Sequence, residues 1–228
     1  MAASDTLPPE RLTFWSLTRR TFAAIKEQPL FFGLIAIVML PTNALEWGEY
    51  ETTEIIVASL LDTLFSGAVV YSIFMNQAEG HFASLGQALT PTLRWPFIGF
   101  TLVSILLVML VRGVEAWLDS AEVPLSLTIV AFFATLGLAL GLGAIFLAAI
   151  PAYVVEGLGF FASLQRSLEL TKGHRMRIFI LLLKIFGLFF LASFPLNDNL
   201  LSMLVDIFLL AFFALIYCDL RALEEERV

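Results

Sequence analysis

The sequence predicts an all-α polytopic membrane protein. Six transmembrane helices form three repeats of an interfacial helix plus two spans, related by a pseudo-threefold axis along the membrane normal. Three observations predict this. The 228 residues are 59% hydrophobic and only 14% charged, with a mean hydropathy of +0.90, far more apolar than a soluble domain. Six stretches are long and apolar enough to cross about 30 Å of hydrocarbon, which takes about 20 residues and at least roughly 17. A short amphipathic motif recurs ahead of alternate stretches.

The predicted spans cover about 29 to 45, 55 to 76, 95 to 111, 125 to 155, 178 to 195 and 199 to 218. Pro29 and Pro96 stand at helix starts, where the missing backbone N–H costs nothing. Pro41 and Pro151 lie near span ends, where a kink or stop is expected. The chain reads as one membrane domain, 1–228, with repeats at 1–76, 77–155 and 156–228.

The repeat is clearest between Phe82-Ala83-Ser84-Leu85-Gly86-Gln87-Ala88-Leu89 and Phe161-Ala162-Ser163-Leu164-Gln165-Arg166-Ser167-Leu168, which agree at five of eight positions, 79 residues apart. A fainter copy starts at Phe14-Trp15-Ser16-Leu17 and continues through Arg19, Arg20 and Phe22. Units with two spans each insert in the same orientation, so their axis runs along the membrane normal. In the last copy Phe161, Leu164 and Leu168 share one helical face and Arg166, Glu169 and Lys172 another. That is the pattern of a helix in the headgroup layer with its cations toward anionic lipid.

Orientation follows from the basic residues. With the N-terminus cytoplasmic, eleven lysines and arginines fall inside and Arg112 alone outside, with Lys184 within a span. The positive-inside rule then places both termini in the cytoplasm of a bacterial inner membrane. The outer loops are acidic, carrying Glu46, Glu49, Glu51, Glu54, Glu115, Asp119, Glu122 and Asp198. The net charge of −7 argues against nucleic acid as a partner, and the lone Cys218 cannot form an internal disulfide. The polar first 28 residues do not read as a signal peptide, and no stretch is long and polar enough for a catalytic head.

Three ionisable residues fall within spans: Asp62, Lys184 and Asp206. Such residues are functional candidates by default. Asp206 sits near the midplane; Lys184 is placed to reach it or to snorkel back to the headgroups. Under the repeat, Asp62 falls within a turn of the position equivalent to Asp206. Arg166, Lys172, Arg175 and Arg177 are a candidate lipid-headgroup site, and Asp219 with Arg166 a candidate structural pair. Gly137 and Gly141 form a GxxxG pair, whose small residues let two helix backbones approach closely within the bundle or between subunits, packing within the bundle being the expectation. His81 and His174 give no ligand cluster with the single cysteine, and no catalytic motif is present. No cofactor or metal is expected.

With these residues in view, the chain resembles a bacterial family of six-span proteins that includes the membrane domain fused to some glycerophosphoryl diester phosphodiesterases. The resemblance rests on Pro151, Val155-Glu156-Gly157, Arg166-Ser167-Leu168, Leu170-Thr171-Lys172-Gly173 and the closing Tyr217-Cys218-Asp219-Leu220-Arg221. It implies a membrane module; the phosphodiesterase activity belongs to a catalytic domain that this sequence does not carry. The functional expectation is a non-enzymatic module that engages membrane lipids or other membrane proteins. The alternative is a small transporter or channel with Asp62 and Asp206 around a central cavity.

Overall fold

The computed structural model describes residues 12–44, 52–120, 124–193 and 199–226. Among these residues the chain is all-helical, with ten helices and no strand. α1 (Phe14–Glu27) starts at Thr13, whose hydroxyl accepts the Ser16 N–H at 3.3 Å, so the side chain satisfies a donor that the first turn leaves open. α2 (Pro29–Ala44) starts on its proline and α3 (Thr52–Glu79) follows. α4 (Leu85–Thr92) opens with a capping box: the Ser84 N–H donates to Gln87 Oε1 at 2.9 Å and the Gln87 N–H to Ser84 Oγ at 3.4 Å. The reciprocal bonds close both ends of that first turn.

α5 (Pro96–Ser120) leaves α4 through a bend of 80°. α6 (Leu125–Phe146), α7 (Ala149–Glu156), α8 (Phe160–Leu170), α9 (Arg175–Ser193) and α10 (Asn199–Glu225) complete the chain. Counting α6 and α7 as one broken helix, the order is a short helix followed by two long ones, three times over. On length and composition, Ile55–Glu79 and Ser126–Glu156 can each cross a membrane, and Leu85–Thr92 with Pro96–Leu110 makes a third if the bent pair is one span. Among the described residues that is two or three spans, where the sequence led us to expect six.

Packing follows a regular scheme. α1 lies on α10, α4 on α3 and α8 on α7, while α2 packs on α10, α5 on α3 and α9 on α6. α3 also touches α10 and α7 and so holds the centre. The three short helices gather at one end of the bundle, the junction end, where the main core and two smaller apolar clusters meet. One cluster stacks Phe100 on Tyr153, with ring centres 5.1 Å apart. The other joins Ala148 and Ala152 to Leu170 and Tyr217.

The span expected from 125 to 155, with a kink or stop near Pro151, is broken at Leu147 and Ala148. Pro151 has no N–H to give the Leu147 carbonyl, which opens the helix there. Ser167 closes the gap from α8: its Oγ accepts the Ala148 N–H at 3.2 Å and donates to the Ile145 carbonyl at 2.8 Å. Thr171 Oγ1 reaches the same carbonyl at 3.4 Å. A break at membrane depth is tolerated where neighbouring side chains take up the freed backbone groups. The expected GxxxG packing is also revised, because a Cβ placed on Gly137 or Gly141 meets nothing within 4 Å. That face of α6 is open.

Candidate functional site

The junction end carries the densest polar chemistry among the described residues, and α8 organises it. Hydroxyl-bearing side chains at four-residue spacing, Ser163, Ser167 and Thr171, are buried together with Leu170. They pack against the broken α6–α7 helix, because small polar groups allow close approach and supply the bonds the break requires. The opposite face leaves Phe161 and Leu168 exposed. Phe161 and Leu168 therefore face outward and the serines inward, while Phe160 and Leu164 pack against the Phe100–Tyr153 cluster from the side.

This orientation carries Arg166 into the protein. Its Nε donates to Glu156 Oε2 at 3.0 Å, while Nη1 and Nη2 donate to the two carboxylate oxygens of Glu224 at 2.7 and 2.5 Å. The fully buried Tyr217 donates its hydroxyl to Glu156 Oε1 at 2.9 Å. Four side chains from α7, α8 and α10 thus form one network, with charge-assisted bonds at its centre. The hydrogen bond from Arg166 holds the Glu224 carboxyl below its ordinary range. In return, the bonds to Glu224 and Glu156 raise the Arg166 guanidinium above its own.

Asp219 is almost fully buried and meets Arg20 from α1: Nη1 lies 2.9 Å from each carboxylate oxygen. The expected pairing of Asp219 with Arg166 is thus redistributed, Asp219 to Arg20 and Arg166 to Glu156 and Glu224. The physical reason is the turn of α8, which aims Arg166 at the ends of α7 and α10 while α1 occupies the flank of α10 beside Asp219. A third link joins the α4–α5 bend to α7: Tyr153 donates its hydroxyl to the Thr92 carbonyl at 2.6 Å. Beside it, Gly157 ends α7 with φ +70°, and Arg94 Nη1 stands 2.8 Å from where a Cβ would sit.

The expected headgroup set divides accordingly. Arg166 is engaged internally, whereas Lys172, Arg175 and Arg177 are exposed at the α8–α9 corner. Arg175 also donates to the Leu168 carbonyl at 3.2 Å. Around this end Trp15, Trp95 and Phe161 are 78%, 82% and 82% exposed, and Met176 lies between the two arginines, also exposed. A cleft of about 280 Å³ opens between the ends of α3 and α10, lined by Phe74, Gln77, Cys218 and Arg221 among others, with the Arg221 guanidinium 5.1 Å from the Phe74 ring centre.

Of the intramembrane candidates, Lys184 is exposed on α9 and Asp62 is exposed on α3. The side chain of Asp206 lies outside the described residues, and with it any contact to Lys184 or Asp62. Sequence reasoning assigned no role to Arg20, Glu156, Ser167, Tyr217 or Glu224 in this network. The available signal was the Ser163, Ser167, Thr171 spacing just after a span interrupted by Pro151. Among the described residues no three His, Cys, Asp or Glu side chains converge as metal ligands would. No protein-family model, curated protein or solved structure matches the chain.

Proposed function

We propose that the protein is a non-enzymatic integral module of the bacterial inner membrane that engages lipid or other membrane proteins. Six spans form three units about a pseudo-threefold axis along the membrane normal, with both termini cytoplasmic. The observation that carries the reading is the surface of the junction end, where Trp15, Trp95 and Phe161 stand almost wholly exposed near Lys172, Arg175 and Arg177. Aromatic rings that stand this exposed fit a headgroup boundary, where an apolar body and a polar edge are both satisfied. Exposed cations on the same side fit the anionic inner leaflet.

The three-unit arrangement draws support from the packing. In each unit the short helix and the first long helix both lie on the second long helix of another unit: α1 and α2 on α10, α4 and α5 on α3, α8 and α9 on the α6–α7 helix. The buried faces also line up. α1 buries Leu17, Thr21 and Ala24 where α8 buries Ser163, Ser167 and Leu170. This register equates Arg20 with Arg166, one residue from the alignment that Phe14 gives by sequence. Each of these arginines meets a carboxylate near the end of the preceding unit's second long helix, Asp219 for Arg20 and Glu156 for Arg166. The likeness to the phosphodiesterase membrane domain enters as a likeness of scaffold.

Native mass spectrometry of gently extracted protein tests the reading. The expected spectrum shows the chain retaining anionic phospholipid, with less retained after Lys172→Gln, Arg175→Gln and Arg177→Gln together. Equal retention in the triple variant overturns the lipid role of this surface.

A further inference from the structure

The exposure of Asp62 has a different meaning from that of its neighbours on α3. Ile56, Val57 and Leu60 form the exposed apolar face of the first half of the helix. At about 100° per residue, Asp62 points between about 120° and about 160° away from all three. It lies instead within about 40° of Ser66, Val69 and Ile73, which are buried. Its neighbours one turn away on either side, Ser59 and Phe65, are buried as well. The carboxylate is therefore exposed on the face α3 turns to the bundle, in a helix that packs against α2, α4, α5, α7 and α10. Toward the Thr52 end the same line passes to Ala58 and Ile55, which are half-buried; toward the Glu79 end it is closed by Ser66, Val69 and Ile73. The gap opens toward the Thr52 end.

Asp62 has no hydrogen-bond or ion-pair partner among the described residues. Ser59 and Ser66 fall within about 60° of it around the helix and Thr63 is its neighbour in sequence; the Thr63 hydroxyl donates to the Ser59 carbonyl at 2.8 Å, which leaves its oxygen lone pairs available as acceptors. An unpaired carboxylate at this depth is costly unless water or a counter-ion reaches it.

The geometry points to a crevice in the bundle that opens toward the Thr52 end of α3 and takes a monovalent cation, with the Asp62 carboxylate as its charged ligand. One negative charge among neutral oxygens balances a single positive charge. A divalent ion of the calcium type draws on more oxygen ligands and usually several carboxylates, and an anion is repelled. The ligand is either an alkali-metal ion or a small primary ammonium group. That the mouth faces the cell exterior rests on the proposed orientation; the crevice itself rests on the placement of Asp62 in α3.

Two measurements test it. In a Cys218→Ser background, Asp62→Cys, Leu60→Cys and Tyr50→Cys are each treated in intact cells with a membrane-impermeant cationic methanethiosulfonate. Tyr50→Cys reports orientation, and Asp62→Cys is expected to react at least about tenfold faster than Leu60→Cys, since thiolate reactivity needs water. If Tyr50→Cys reacts only in inverted vesicles, the orientation is wrong and the comparison of positions 62 and 60 is made there instead. Equal inertness of the two on the side where Tyr50→Cys reacts overturns the crevice. The second measurement is melting of the purified protein in NaCl, KCl, methylammonium chloride or N-methylglucamine chloride at equal ionic strength. At least one of the first three is expected to raise Tm by about 3 °C or more over the bulky cation, and which one tells metal ion from ammonium. The rise is expected to survive Asp62→Glu and to vanish in Asp62→Asn. Equal melting of the parent protein in all four salts, or an undiminished rise in Asp62→Asn, overturns the cation.

Discussion

Arg20 sets Nη1 2.9 Å from both carboxylate oxygens of Asp219, across 199 positions of sequence. Asp219 is exposed to only a few per cent and Arg20 to about one-third, so the pair stands at the edge of solvent with its acid inside. Removing the base takes from a buried carboxylate the cation it is bonded to, which costs more than the intact pair contributes.

Arg20→Gln is accordingly expected to lower unfolding free energy by about 3 kcal/mol. Asp219→Asn should cost less, because it removes the buried charge itself. In a double-mutant cycle the two changes should fall short of additivity by about 1 kcal/mol or more. Denaturant or thermal unfolding in detergent measures this; strict additivity would show that the two residues act separately.

Ser167→Ala deletes the group that takes the Ala148 N–H and donates to the Ile145 carbonyl. The carbonyl keeps Thr171 as a partner at 3.4 Å, but the N–H is orphaned in the core. A buried donor left without a partner costs about 1–3 kcal/mol. Ser163→Ala is the comparison: that hydroxyl donates to the Gly159 carbonyl within its own helix, and its loss should cost distinctly less.

Stability should also fall with acid. Glu224 titrates below its ordinary value of 4.5 in the folded protein because Arg166 donates to it. Its contribution is complete above that ordinary value and is lost as pH falls through the lowered folded value. Glu224→Gln should flatten this part of the stability profile. Because Glu224 is itself 40% exposed, solvent screening keeps the contribution modest. Melting curves across the acidic range, parent against variant, read it directly.

Gly157→Ala should destabilise by about 1–2 kcal/mol, the cost of a left-handed conformation for a residue with a Cβ. The Arg94 guanidinium lies close to the new methyl but sits at the end of a flexible side chain and can move. Gly157→Asn, better suited to that conformation, should be milder, and Arg94→Ala should not rescue Gly157→Ala. Full rescue would show that crowding by Arg94, and not the backbone, is what glycine relieves.

The places where the sequence was readable are those governed by local chemistry. Pro29 and Pro96 begin helices as their ring geometry requires, Pro151 breaks one, and the short motif at Phe82 and at Phe161 gives a short helix each time. What could not be read depends on how faces are turned. The spacing of Phe161, Leu164 and Leu168 marks an apolar stripe, but an apolar stripe beside a membrane can face lipid as well as protein. The buried face of α8 is its serine face instead, and that rotation gives Arg166 partners 10 and 58 residues away. Arg20 and Asp219 were beyond reach for a related reason: no local pattern relates two residues at opposite ends of a chain. Asp62 was legible as an ionisable residue in a candidate span, but its access was not, because exposure opposite the exposed apolar stripe of Ile56, Val57 and Leu60 exists only once the neighbouring helices are in place.

The seating of α1 on α10 also orders events during synthesis. At about 5–20 residues per second, Asp219 is translated roughly 10 to 40 s after Arg20. Throughout that interval α1 has no partner on α10, and the nascent chain holds its amphipathic first helix in reserve. Assembly cannot finish in the order in which the chain is made; the beginning waits for the end, and whatever shields α1 in the meantime shares control of how much of the protein matures.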